Sequence, residues 1–408
     1  MSIIEQDELR AQFPFLCKYP DWVFLENAGG SQVPSSVIDS VSKYYSESYV
    51  QIGAGYYQSN ESTNIRTSAH DFCREMVNGS GIGEVVLGSS TTQLIHTLAH
   101  AFDKLITNAD DEIILTNLAH EANYGVWTKL RGKVVEWKVH EAVNLDDLSV
   151  LLSEHTRIVA ITHVSNVAGE ILDVKAIATL VHARCPQARV VVDGVAYAPH
   201  QVIDVCEWNV DFYVFSLYKV YGPHLAALYG SNAAWQELIQ ASAGPNHFFV
   251  SQSDISYQYE IGCLDYEACA GILGIKSYFE RVTNAPNDQS VRKTIEQAYK
   301  IFADFERPLT DRLIQYLLTK RDITIIGPQS NMHRLPTISF VSSRLSSSDI
   351  VKHLHAHKIA CRNGHMYSYR LITALGIDIS DGVVRLSAVH YNTIAEIDRC
   401  IQVLDTIL

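Results

Sequence analysis

Asp211-Phe-Tyr-Val-Phe-Ser-Leu-Tyr-Lys219-Val-Tyr-Gly-Pro223 is a run of bulky strand-forming residues that stops at a lysine and a Gly-Pro turn. Proline cannot donate to a strand ladder, so the run ends there and Lys219 is fixed just past a buried strand. Upstream, Arg189-Val-Val-Val-Asp193 is a second apolar run, and it ends in an aspartate. Runs of the same kind recur at Asp111-Glu-Ile-Ile-Leu-Thr116, Val134-Val-Glu-Trp137 and Arg157-Ile-Val-Ala-Ile-Thr162, with helical segments between them. Such alternation predicts an α/β fold, a mostly parallel central sheet with helices on both faces. Ligands of open parallel sheets bind beyond the strands' C-terminal ends. Thr92, Asn166 and Asp193 fall at strand exits, and Lys219 lies just past one.

A lysine amine and a buried carboxylate at neighbouring strand ends are the two groups that pyridoxal phosphate needs. The amine forms a Schiff base with its aldehyde, and the carboxylate keeps its ring nitrogen protonated. Either residue alone is weak evidence, since most lysines at strand exits are solvated and most strand-end aspartates make turns or caps. A third segment joins them: Val85-Val-Leu-Gly-Ser-Ser-Thr-Thr-Gln93 runs from a strand through Gly88 and hydroxyl residues into a helical pattern. Free N–H groups at a helix start, with the hydroxyls of Ser90, Thr91 and Thr92, make a seat for a phosphate. An ordinary serine N-cap reads the same way in isolation.

Val192-Asp-Gly194, Phe215-Ser-Leu-Tyr-Lys-Val-Tyr-Gly222, His163-Val-Ser-Asn166 and Phe24-Leu-Glu-Asn-Ala-Gly29 stand in an order and spacing that resembles the class V aminotransferase superfamily. The likeness is to its cysteine-desulfurase-like branch, and it runs from about residue 20 to the C-terminus. It implies pyridoxal-phosphate-dependent fold type I, with a seven-stranded-type sheet and a smaller α+β C-terminal domain. It further implies Lys219 as the cofactor-bound lysine and Asp193 as the partner of the pyridine nitrogen. Thr91, Thr92 and Ser216 would hold the phosphate, with Tyr218 where many relatives have a phosphate-binding histidine. Asn166 would lie near the cofactor's phenolic oxygen and the substrate carboxylate, and Arg385, in Val383-Val-Arg-Leu-Ser387, would take that carboxylate. A guanidinium suits the task because it offers two parallel hydrogen bonds and a permanent charge. Arg362, Ala28 and Gly29 would lie on the substrate side. A homodimer with sites near its interface is also implied, with a small-molecule amino acid as substrate.

Departures from the family pattern bear on the reaction. Desulfurases carry a sulfur-attacking cysteine after the segment that resembles Arg362-Asn-Gly-His365. Here the segment continues Met366-Tyr367, so Tyr367 takes the cysteine's place. A phenol with a pKa near ~10 is a poor sulfur nucleophile but can pass protons. Cys361 precedes the arginine and reads as a buried strand thiol. Ala196 stands where relatives carry a glutamine or histidine directed at the cofactor. In Ala119-His-Glu-Ala-Asn123, Glu121 aligns with the histidine that stacks on the cofactor ring, so either Glu121 faces the ring as an acid or base, or His120 turns in to stack. Cys263 replaces a threonine that reaches the neighbouring subunit's phosphate, and it would hydrogen-bond more weakly.

With 408 residues, 47% hydrophobic and 19% charged, the chain is ample for two or three structural units. The expected division is an N-terminal segment 1–25, a large cofactor-binding domain 26–288 and a small domain 289–408. In the last, helical periodicity through Ile301 and Leu313 gives way to Ile323–Ile326, Thr337–Val341 and a final amphipathic helix. A net charge of −13 with no lysine-arginine cluster argues against nucleic acid. The acidic N-terminus and the lack of an apolar stretch of about 18 residues argue against a signal peptide or a membrane span. Eight cysteines without framework spacing suit reduced thiols and a cytoplasmic protein. His353 and His357 share a helix face at a spacing that can bind zinc, but no further ligand completes a set, and no metal is expected. Gly53-Ala-Gly-Tyr-Tyr57 suits either a substrate entrance or ordinary packing.

Together these features predict an enzyme that makes a Cα carbanion from an amino acid. The expected uses are lyase or carbon-carbon bond-forming chemistry, such as a Mannich-type cyclisation in a specialised, alkaloid-like fungal pathway. Cysteine desulfurase or C-S lyase activity, transamination and a non-catalytic cofactor-binding regulator are the alternatives.

Overall fold

The computed structural model describes residues 4–139, 143–286 and 288–408; residues 1–3, the start of the acidic N-terminus, lie outside the described residues. Its strands are β1 (Val23–Phe24), β2 (Gly83–Gly88), β3 (Glu112–Thr116), β4 (Lys133–Trp137), β5 (Thr156–Thr162), β6 (Arg189–Asp193), β7 (Phe212–Ser216), β8 (Ala226–Ser231), β9 (Ile323–Ile326), β10 (Thr337–Ser342), β11 (Ile359–Ala360), β12 (Arg362–Gly364) and β13 (Val383–Ser387). Seven of them form one sheet in the order β2-β8-β7-β6-β5-β3-β4, parallel throughout except for β8, which runs against both neighbours.

The period of two along each strand explains why the apolar runs are continuous. Val159, Ile161, Val190, Val192, Tyr213 and Phe215 enter the core on one face of the sheet. Their neighbours Ile158, Ala160, Val191, Phe212 and Val214 enter the core on the other. Successive side chains of a strand point to opposite faces, and both faces here are covered, so every position must be apolar. In β5 and β6 polar residues appear only toward the strand ends.

A four-stranded antiparallel sheet, β12-β13-β10-β9, carries the second layer, and its Ile338, Phe340, Val384 and Leu386 pack against helices Val291–Leu318, Ser347–Ala356 and Ile394–Leu404. The N-terminal chain ties the two sheets together. β1 pairs with β11, the Ala28 N–H donates to Ser387 Oγ at 2.8 Å, and the Ser31 N–H donates to the Tyr218 carbonyl at 3.3 Å. Ala28 and Gly29 are thereby suspended between the end of β13 and the Lys219 turn. No described helix is long and apolar enough to cross a membrane.

Candidate active site

A cleft opens where β5, β6 and β7 end and helix Thr91–Phe102 begins. Asp193, the last residue of β6, is buried at its inner wall, and its Oδ1 accepts the Val195 N–H at 3.0 Å. The main chain around it is fixed: its carbonyl accepts the His163 N–H at 2.8 Å, and the Gly194 N–H donates to the Val214 carbonyl at 2.8 Å. Gly194 must lack a side chain, since a Cβ there would collide with the Tyr213 ring. Tyr213 is held in turn by His163, whose Nδ1 lies 2.9 Å from its hydroxyl. Burial pushes the Asp193 carboxyl above its usual range, against the Val195 N–H and the charge of Lys219, which pull it down.

Lys219 ends a single 3₁₀ turn, Leu217–Lys219, that follows β7 directly. Burial lowers its ammonium to about 8, and the nearby Arg385 charge acts in the same direction, while Asp193 and Glu26 oppose them. Ser90, Thr91, Thr92, His120, Asn166, Ser216 and Tyr218 line the same cleft as Lys219 and Asp193. At its helical end, Ser90 caps the helix by accepting the Gln93 N–H, and the Thr91 and Ser216 hydroxyls lie 2.7 Å apart. The first N–H groups of this 12-residue helix thus point at the cleft beside two hydroxyls, a donor set for an anion that needs no lysine or arginine. Tyr218 stacks on His224, with 5.1 Å between ring centroids and 12° between planes.

The structure separates His120 from Glu121. His120 Nδ1 accepts the Ala122 N–H at 3.1 Å, which leaves the ring's proton on Nε2. Burial and the charges of Lys219 and Arg385 lower the imidazole to about 4, so the ring in the cleft is neutral. Glu121 does not line the cleft: its carboxylate is bound by Arg370, whose guanidinium lies 3.6 Å from the Tyr124 ring centroid. Of the two alternatives that the sequence leaves open, His120 is the one that lines the cleft, and the 3₁₀ turn Glu121–Asn123 places the Glu121 carboxylate against Arg370 instead.

Tyr367, which takes the cysteine's position in the sequence, lies beside His120. Its side chain is 60% exposed, and its ring centroid lies 5.1 Å from that of His120, at the rim. Met366 and Tyr367 have φ of 50° and 60°, a left-handed pair that only neighbouring contacts can hold. Asn166 Nδ2 donates to the Met366 carbonyl at 2.8 Å, Ser368 Oγ donates to Asn166 Oδ1 at 2.7 Å, and the Glu121 N–H donates to the Tyr367 carbonyl at 2.8 Å. Asn166 is thus spent largely on fixing this loop.

Arg385, at the centre of β13, is 3% exposed, and its Nη1 donates to the Asn166 carbonyl at 3.2 Å. Burial lowers it to about 10, so it stays charged at neutral pH. Arg362 is exposed and stands 3.9 Å from Glu26. Cys263 lies outside the cleft, in an open groove with Gly88, Ser89 and Gln93 on the other side of the anion seat. Cys361 is buried, and burial pushes its thiol up to about 12. Tyr56 and Tyr57 are exposed and do not line the cleft. His353 Nε2 lies 3.0 Å from Thr406 Oγ1 and His357 Nδ1 lies 2.9 Å from the His353 carbonyl; among the described residues no three His, Cys, Asp or Glu gather closely enough to hold a metal. Sequence reasoning passed over Glu26, although it sits in the quoted Phe24–Gly29 stretch, one turn of chain from Gly29.

The family model for aminotransferase class V matches residues 23–400. The chain belongs to that family. It is 40% identical to an aminotransferase-like protein of Gibberella zeae over 98% of both chains. It is 30% identical to a cysteine desulfurase-like protein of Aspergillus flavus, over 100% of this chain and 91% of that one. Among solved structures, a cysteine desulfurase from Thermococcus onnurineus superposes with a TM-score of 0.84 at 21% identity, over 100% of this chain and 98% of that one, so the fold is shared. The cofactor of this class V chain is pyridoxal 5'-phosphate. The donor set fits it: an anion seat at one end of the cleft, a buried carboxylate on the inner wall and a lysine of lowered pKa between them.

Proposed function

We propose that this class V enzyme removes the Cα proton of an amino acid with a free carboxylate, and uses the resulting carbanion for lyase or carbon-carbon bond-forming chemistry. The observation that carries the reading is the meeting of Lys219, Asp193 and the Thr91–Ser216 anion seat in one cleft, next to a buried Arg385. When bound, the cofactor supplies an electron sink that stabilises negative charge at Cα. Thr91, Ser216 and the helix N–H groups would hold its phosphate, Asp193 would keep a proton on its ring nitrogen, and the neutral His120 ring would lie against it. Arg385 binds the substrate carboxylate and so fixes which Cα bond is presented to the amine of Lys219. That amine would be a base matched to neutral pH, because burial lowers it to about 8.

Desulfuration is the less supported alternative. Among the described residues no cysteine lines the cleft, Cys361 is a protonated buried thiol, and Tyr367 at the rim offers no sulfur. Transamination and a non-catalytic role rank lower still. We also read the protein as a homodimer, in which the open groove beside Cys263 is covered by a second copy.

The test is deuterium incorporation at Cα, followed by mass spectrometry, when the cofactor-loaded protein is incubated with an amino-acid panel in heavy water. Exchange into one or a few compounds is expected; sulfide and alanine from cysteine would instead restore the desulfurase reading. A pH dependence follows from Lys219. In the cofactor-free protein its amine is protonated below about 8 and free above it. The rate of cofactor uptake should therefore rise with pH and level off just above 8. A rise continuing toward ~10.4, the value of an unperturbed lysine, would refute the lowered pKa.

A further inference from the structure

Arg385 and Glu26 form an incomplete pair. Arg385 Nη2 stands 3.6 Å from Glu26 Oε1, an ionic distance without a hydrogen bond. Arg385 Nε and Glu26 Oε1 are both buried, and neither has a hydrogen-bond partner. Buried polar atoms are mostly hydrogen-bonded, and a pair left open beside a cleft is one that a ligand or an ordered water can complete. The arrangement is built into the chain. The Glu26 main chain bridges to Ser387, and a Cβ at Gly29 would collide with Glu26 Oε1, so Gly29 makes the room that the carboxylate fills.

Charge decides what the pair admits. Arg385 and Arg362 both face Glu26 Oε1, at 3.6 and 3.9 Å, which gives two positive groups and one negative. One substrate carboxylate on Arg385 brings this set to neutrality. A second carboxylate, on the substrate's side chain, would meet Glu26 with no cation left over, since Arg370, the next along the loop, is already bound to Glu121. Removing charges from water is offset only when they are paired, and like charges in a partly dry cleft repel strongly. Resting on the reading of Arg385 as the carboxylate site, we propose that Glu26 determines specificity. It makes the cleft take amino acids whose side chains are neutral or cationic, and turn away those with an acidic side chain. A donor on the side chain would in addition satisfy Oε1.

The test uses the cofactor-loaded enzyme and two ligands that lack an amino group, propionate and succinate, with dissociation constants read by NMR titration. The wild type should bind propionate at least tenfold more tightly than succinate. Glu26→Gln should erase that preference, through a gain in succinate affinity of about tenfold or more. Glu26→Asp, which keeps the charge, should retain it. Retention of the cofactor absorbance and circular dichroism shows that each variant is folded. A wild-type ratio within threefold of one, or an unchanged ratio in Glu26→Gln, overturns the role of Glu26. Arg385→Ala separates the two levels, since it should weaken propionate binding at least tenfold. Unchanged propionate binding in that variant would overturn the carboxylate reading itself, and the specificity proposal with it.

Discussion

Lys219→Ala should yield a folded protein that still takes up pyridoxal phosphate but loses turnover by at least on the order of 10³-fold. The anion seat, Asp193 and His120 line the same cleft and are untouched by the change. What disappears is the amine that, on the proposed reading, moves a proton at Cα. The folded state does not need the ammonium: its lowered pKa means that burial costs more than its neighbours return, so removing it relieves the cofactor-free protein at neutral pH rather than weakening it. Circular dichroism, cofactor retention after gel filtration and Cα deuterium exchange measure the three parts separately. Exchange within tenfold of the wild type would assign the base to another residue. An unchanged biological activity alongside lost exchange would favour a cofactor-binding regulator.

The parts of this site that were legible in the sequence are those that strand geometry fixes. Asp193 and Ser216 end buried strands, and Lys219 follows one by a single turn, so apolar runs and a Gly-Pro turn locate them without further information. The hydroxyl-lined helix start was legible for the same reason, as a strand running into serines and threonines and then a helix. Where loops decide, the sequence was silent. Whether His120 or Glu121 faces the cleft depends on a three-residue 3₁₀ turn and on Arg370, which lies about 250 positions away in sequence and captures Glu121. Tyr367 reaches the rim only because Met366 and Tyr367 both adopt left-handed backbone, and nothing in Met-Tyr signals that conformation. Glu26 was hidden differently. It lay in a recognised stretch, but its meaning comes from Arg362 and Arg385, on strands formed more than 300 residues later.

Asp193→Asn should lower Cα exchange and turnover by on the order of 10²- to 10⁴-fold while leaving cofactor affinity within about tenfold. Asparagine keeps the shape and retains an oxygen for the Val195 N–H, so the strand end need not move. On the proposed reading it would not keep a proton on the pyridine nitrogen, and without that charge the ring is a poor electron sink. The stability of the cofactor-free protein should move the other way. Burial raises the Asp193 pKa in the folded state, so between the unfolded and folded values the native chain binds more protons than the unfolded one, and stability falls as pH rises through that window. A neutral amide removes this penalty, and the melting temperature of cofactor-free Asp193→Asn should exceed that of the wild type at pH 7, with the difference shrinking as the pH is lowered. Thermal melts at pH 7 and pH 4 read that sign directly, and deuterium exchange reads the loss of function. A variant that is both less stable at pH 7 and fully active would mean that Asp193 serves the fold, and that the proton on the ring is held by another group.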